Sequence, residues 1–126
     1  MRYIPHVKLR TGDTGELLRG NTPTLILAVL AHGPRHGYAI AREIERRSHE
    51  ALRLREGSLY PALRALEADG LVSSHWEPQE SGAARRVYLL TEAGHAELTR
   101  RARSWRDFVQ AIDDVLGGIP DGTQPA

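Results

Sequence analysis

The side chains best equipped for chemistry lie close together in Gly57-Ser58-Leu59-Tyr60-Pro61-Ala62-Leu63-Arg64. If this stretch opens a helix, Ser58 and Tyr60 offer hydroxyl donors to phosphate, and the positive end of the helix dipole favours the same ligand. Arg64 carries a planar fork that fits the O6 and N7 edge of a guanine, a contact worth about 1–3 kcal/mol of base discrimination. Pro61 lies off the apolar stripe and so faces outward or toward a partner. The plainer reading is that Tyr60 packs partly on the core and Arg64 pairs with Glu67 or Asp69 on a solvated face. A second basic point is Arg85-Arg86, which follows Gly82, Ala83 and Ala84. Small residues keep a loop slim enough to lie along a minor groove, and adjacent arginines supply the charge. The alternative there is a strand edge guarded by charge.

Other chemistries are poorly served. Of six histidines, His32 and His36 are four apart, but Gly33-Pro34 breaks the helix that would align them. His49, His75 and His95 have no ligand spacing, so no metal is expected. Cysteine is absent, which excludes a disulfide scaffold, a thiolate ligand and a cysteine nucleophile. There is no phosphate-loop glycine pattern, nucleophile elbow or paired-carboxylate cleft, so neither an enzyme nor a cofactor is expected.

With 126 residues and 40% apolar content, the chain has room for one small core. No apolar run approaches the roughly 18 residues of a membrane helix. The N-terminus does not read as a signal peptide, so a cytoplasmic protein without membrane association is expected. All 17 basic residues and 12 of the 16 acids fall within residues 1–106, leaving five excess positive charges there and an acidic end. A basic body of this kind suits a polyanion. Arginine outnumbers lysine sixteen to one, which favours forked contacts to phosphate and guanine but also follows from a GC-rich genome.

The elements that must position these residues follow from periodicity and punctuation. Residues 1–15 show no period and read as a flexible arm. Asn21 or Thr22 can cap a first helix with Pro23 in its first turn, and Gly33-Pro34 ends it; Glu16 to Arg19 can add an earlier turn. A second helix of about 10–12 residues starts near His36-Gly37-Tyr38, with Ile40, Ala41 and Ile44 on one face. After a short turn, the third helix carries Ser58 as its likeliest cap, buries Leu59, Leu63 and Leu66, and stops at Gly70. Leu71 to Trp76 and Arg85 to Leu90 read as a hairpin around the polar loop 77–84. A hairpin is marginal alone and must lean on the helices.

Thr91 then caps the longest periodic segment. Leu98, Ala102, Trp105, Val109, Ile112 and Leu116 alternate spacings of four and three, a coiled-coil-like seam widened by Phe108 and Val115. Such a stripe is too wide for one small protomer to cover, which points to a two-fold homodimer through this helix. The alternative is that it packs back on its own first helix. The fold class is therefore mainly α with a small β-hairpin: a winged helix-turn-helix plus a long C-terminal dimerisation helix. The boundaries are 1–15 arm, 16–90 winged domain, 91–117 dimerisation helix and 118–126 flexible tail. A pair of such units would set two reading helices about one DNA turn apart, matching a pseudo-palindrome.

The chain also resembles the PadR-type transcriptional regulators over about residues 16–116. The resemblance rests on Leu17-Leu18-Arg19-Gly20 leading into Leu25-Ile26-Leu27, on His36-Gly37-Tyr38-Ala39-Ile40, and on Gly57-Ser58-Leu59-Tyr60-Pro61-Ala62-Leu63. It continues through Leu66-Glu67-Ala68-Asp69-Gly70-Leu71-Val72 and Arg85-Arg86-Val87-Tyr88-Leu89-Leu90-Thr91-Glu92-Ala93-Gly94. It implies a ligand-responsive repressor that contacts double-stranded DNA through Tyr38, Ser58, Tyr60, Pro61, Arg64, Arg85 and Arg86. The single C-terminal helix looks like the short branch of the family. There, a tryptophan matching Trp105 stacks on a small planar aromatic effector, and Trp76 matches as well; Val109 stands where drug-sensing members carry an acid. The favoured reading of Trp105 is nonetheless a core residue of the dimer seam. The reading of another class is a winged-helix module that binds protein and not DNA.

Overall fold

The computed structural model describes Leu18 and residues 20–118. The expected arm over 1–15, most of the earlier turn around Glu16 to Arg19, and the tail beyond Gly118 lie outside the described residues. Helix α1 (Thr22–Leu30) is apolar nearly all round and runs through the centre of the molecule, as such a helix must. Ile26 and Leu27 are fully buried on it. Pro23 sits in the first turn, where its missing N–H costs little. Asn21 holds the cap position, but its side chain makes no capping bond. Thr22 does not cap either: its hydroxyl donates back to the Leu18 carbonyl at 3.3 Å.

A two-residue strand β1 (Arg35–His36) follows and leads into α2 (Gly37–Arg47), which buries Ile40 and Ile44. The strand was not legible in the sequence, because two residues cannot display a period. The link to the next helix spans residues 48–55 and is longer than the expected short turn. It turns through His49 and Glu50, both with left-handed φ (53° and 65°), and is fastened by the Leu52 N–H donating to Ser48 Oγ at 3.0 Å. Leu52 and Leu54 pack against the core from within it.

Helix α3 (Glu56–Ala68) begins two residues before the expected cap. Arg55 occupies the cap position, and Ser58 is already inside the first turn, its N–H donating to the Arg55 carbonyl at 2.9 Å. Pro61 is thereby an interior residue, and the Gly57 carbonyl loses its intrahelical donor. The far end obeys the sequence. Gly70 takes φ 75°, its N–H donates to Glu67, and the Leu71 N–H donates to Leu66, both at 3.0 Å. These two bonds form the Schellman stop that a glycine in this place allows.

Strands β2 (Val72–Glu77) and β3 (Arg85–Leu90) pair antiparallel from Val72 with Leu90 to Glu77 with Arg85. β1 joins the free edge of β3, Arg35 opposite Tyr88, so the hairpin is part of a three-stranded sheet in the order β1-β3-β2. Val72, Tyr88 and Leu90 enter the same core as Ile26, Ile40, Leu59 and Leu63. Helix α4 (Glu92–Leu116) is 25 residues long, or about 37 Å at 1.5 Å per residue. Thr91 caps it, accepting from the Gly94 N–H at 3.0 Å, and donates its hydroxyl to the Gly70 carbonyl at 2.7 Å. One side chain thus joins the end of α3 to the start of α4.

Candidate nucleic-acid interface

Burial of Leu59, Leu63 and Leu66 turns the opposite face of α3 outward. Ser58, Pro61 and Arg64, at i, i+3 and i+6, are all exposed there. Among the described residues, Arg64 has neither a hydrogen bond nor an ion pair. The pairing of Arg64 with Glu67 or Asp69 is therefore not made; Glu67 turns to a different arginine. Tyr60 divides between the two readings of its sequence. It is half-buried and packs against the core, with its ring across the start of α2. A Cβ on Gly37 would lie 2.8 Å from Tyr60 Cε1 and 3.0 Å from its hydroxyl. Only glycine lets ring and backbone approach this closely.

Tyr38 follows Gly37 at the same corner and is 63% exposed, with the Arg42 guanidinium 5.8 Å from its ring centroid. That stacking within α2 was missed in the sequence, although the i, i+4 spacing carries it. On the sheet, Arg85 is exposed and makes no ion pair among the described residues, even though Glu77 stands opposite it. Arg86 is differently placed. Its Nε donates to Ser74 Oγ at 2.9 Å, one terminal nitrogen reaches Glu67 Oε1 at 3.4 Å, and its guanidinium lies 5.4 Å from the Trp76 centroid. Where α3 meets the sheet, burial pushes the Tyr88 phenol up, with the charges of Arg86 and Arg64 pulling the other way.

The two tryptophans are not brought together within a protomer. Trp76 is 62% exposed on the edge strand. Trp105 faces a cleft of about 760 Å³ between α1 and α4, lined also by Leu18, Leu25, Leu98 and Phe108. Its ring is 6.0 Å from that of Phe108. The seam divides along its length. Leu98 packs against the core, whereas Trp105, Val109, Ile112 and Leu116 are exposed, as are Phe108 and Val115. Among the described residues, no three His, Asp or Glu side chains gather as a metal site, and no helix is long and apolar enough to cross a membrane.

Two carboxylates on the helices are unusually acidic. Hydrogen bonds from Arg46 and Arg47 hold Glu43 down to about 2, and those from Arg100 and Arg101 hold Glu97 to about 2, both from an ordinary 4.5. A depressed folded value means that the stabilisation is complete above the unfolded value and disappears as the folded one is approached. The urea midpoint should therefore drop as pH falls from about 4.5 toward 2. A Glu43→Gln/Glu97→Gln double variant should show a flatter profile across that window, measured by unfolding at a series of pH values. An identical slope in both proteins would remove these clusters as the cause.

Known proteins share this fold. The pattern of the transcriptional regulator PadR-like family matches residues 26–100. A transcriptional regulator of Mycobacterium tuberculosis is 41% identical over 83 residues, 66% of this chain and 71% of its own. Among solved structures, a PadR family transcription regulator from Clostridium difficile is 31% identical, with TM-score 0.69, over 78% of this chain and 100% of that one. A padr family transcriptional regulator from Eggerthella lenta is 27% identical, with TM-score 0.75, over 86% and 92%.

Proposed function

This chain belongs to the PadR-like family of transcriptional regulators, and from that premise we propose that it is a ligand-responsive repressor. It works in the cytoplasm as a homodimer that reads a pseudo-palindromic operator in double-stranded DNA. The observation that carries this reading is the outward face of α3, where Ser58, Pro61 and Arg64 stand exposed, Arg64 with no partner among the described residues. Arg64 is the base-reading side chain. Ser58, Tyr60, Tyr38 and Arg85 contact the phosphate backbone, whereas Arg86, which the resemblance groups with them, is engaged within the protein by Glu67, Ser74 and Trp76. The seam from Leu98 through Ala102, Trp105, Val109, Ile112 and Leu116 joins the two copies. Of the two tryptophans, Trp105 is the better candidate to stack on a small planar aromatic effector, because it lines the apolar cleft and Trp76 does not.

The test is a salt titration of binding to duplexes drawn from DNA flanking its own coding sequence. Arg85→Ala should weaken binding to every sequence and reduce the slope of log K against log salt by about 0.9, the loss of one phosphate contact. Arg64→Ala should relax discrimination at one base pair in each half-site, by about 1–3 kcal/mol. A stable dimer with no salt-dependent affinity for any duplex would overturn the reading in favour of a module that binds protein.

A further inference from the structure

Three arginines stand at the corner where α3 meets the wing, and they are not equivalent. Arg64 and Arg85 have no partner among the described residues. Arg86 is held on three sides. Glu67, on the reading helix, accepts from Ser74 Oγ at 2.6 Å through one carboxylate oxygen, and the other faces the Arg86 guanidinium at 3.4 Å. Ser74 completes the ring by accepting from Arg86 Nε at 2.9 Å. The Trp76 ring covers the guanidinium within cation–π range. The strand register explains the meeting: Ser74, Trp76, Arg86 and Tyr88 share one face of the sheet, and Tyr88 enters the core beneath α3. The Arg86 side chain remains 40% exposed and that of Glu67 33%, so the pair lies at the surface and within reach of a phosphate once released.

We propose that Glu67 is a positioning residue that keeps Arg86 out of the phosphate-contacting set, and thereby limits the affinity of this protein for DNA of arbitrary sequence. This rests on the DNA-binding reading above. Sequence-independent affinity grows with each phosphate that a basic side chain neutralises. A regulator must find its operator among a vast excess of other sites, so a wing arginine neutralised within the protein lowers the background. The acid that does this lies on the same helix as the base-reading Arg64, one turn beyond it.

The experiment uses the full chain and a random-sequence duplex, with binding followed by anisotropy between 50 and 200 mM salt. Glu67→Gln should bind more tightly at low salt, with a slope steeper by about 0.9. Its affinity should then fall about three- to fourfold further than that of the wild type across this range. Ser74→Ala, which removes the bridging hydroxyl and leaves the charges, should move the slope the same way by less. Asp69→Asn removes a neighbouring acid that holds no arginine among the described residues and should leave the slope unchanged. Arg86→Ala alone should keep the wild-type slope, and Glu67→Gln/Arg86→Ala should return to it. A defect of folding alone would lower the melting temperature without steepening the salt response. The inference is overturned if Glu67→Gln keeps the wild-type slope, or if Arg86→Ala flattens it as Arg85→Ala does, since Arg86 would then already sit on phosphate. If the wild type binds no duplex, the regulator reading fails, and this one with it. If the wild type binds and Glu67→Gln matches it, only this one fails.

Discussion

Ile112→Asp is expected to convert the proposed dimer into a monomer and to lower operator affinity by about two to four orders of magnitude. The second half of α4 carries Phe108, Val109, Ile112, Val115 and Leu116, all exposed on the protomer. An apolar stripe of that extent on a small chain marks an interface. A carboxylate at its centre would have to be desolvated without a partner on assembly, which costs several kcal/mol. Two half-sites on one dimer bind with the second contact already intramolecular, an advantage of about 10²–10⁴ that a monomer forgoes. Sedimentation would read the oligomeric state, and a duplex titration would read the affinity. Gln110→Asp, which adds the same charge about 160° round the helix from Ile112, should leave both unchanged. A wild-type chain that sediments as a monomer at micromolar concentration would sink the prediction and the two-fold architecture together.

The second large effect concerns stability. Gly94, in the first turn of α4, is buried where a Cβ would lie 2.1 Å from the Leu71 carbonyl oxygen and 2.6 Å from Leu90 Cδ1. The carbonyl cannot retreat without loss. It accepts the Thr91 N–H at 3.1 Å, and its own residue closes the end of α3 through Leu66. Gly94→Ala should therefore cost about 3 kcal/mol, the upper part of the range for overpacking a well-filled core. The loss should appear as a lower urea midpoint with an unchanged m-value. Gly57→Ala provides the opposite sign: it lies within α3 with nothing inside 4 Å of the added carbon, and should stabilise by up to about 1 kcal/mol through helix propensity. A Gly94→Ala protein within 0.5 kcal/mol of the parent would mean that the Leu71 turn gives way easily.

What the residues announce and what they conceal divide along physical lines. The Gly70 stop, the Leu59-Leu63-Leu66 stripe, the Thr91 cap and the long seam of α4 are local patterns, and each is where the sequence puts it. β1 is hidden because two residues form a strand only when β3 is there to pair with them. The start of α3 moves from Ser58 to Glu56 because no side chain caps it, so packing and not a capping bond sets the boundary. The pairing choice at the wing is not local either. Glu67 has Arg64 three residues away on its own helix, yet it binds Arg86, nineteen residues on. Only the register of β2 on β3, which sets Arg86 opposite Trp76 and Ser74 opposite Tyr88, decides that choice. The two tryptophans look alike in the sequence, yet Trp76 stands on the edge strand β2 and Trp105 on α4, facing the cleft with α1.

The Thr91 hydroxyl, shared between the Gly70 carbonyl and the Gly94 amide, has a mechanical meaning. A hinge needs backbone that can rotate, and here the chain leaving one rod and the chain entering the other are riveted at a single point. In the proposed dimer the attitude of each α3 would be inherited from the angle at which the two copies of α4 cross, and a change in that angle would reach α3 through this joint.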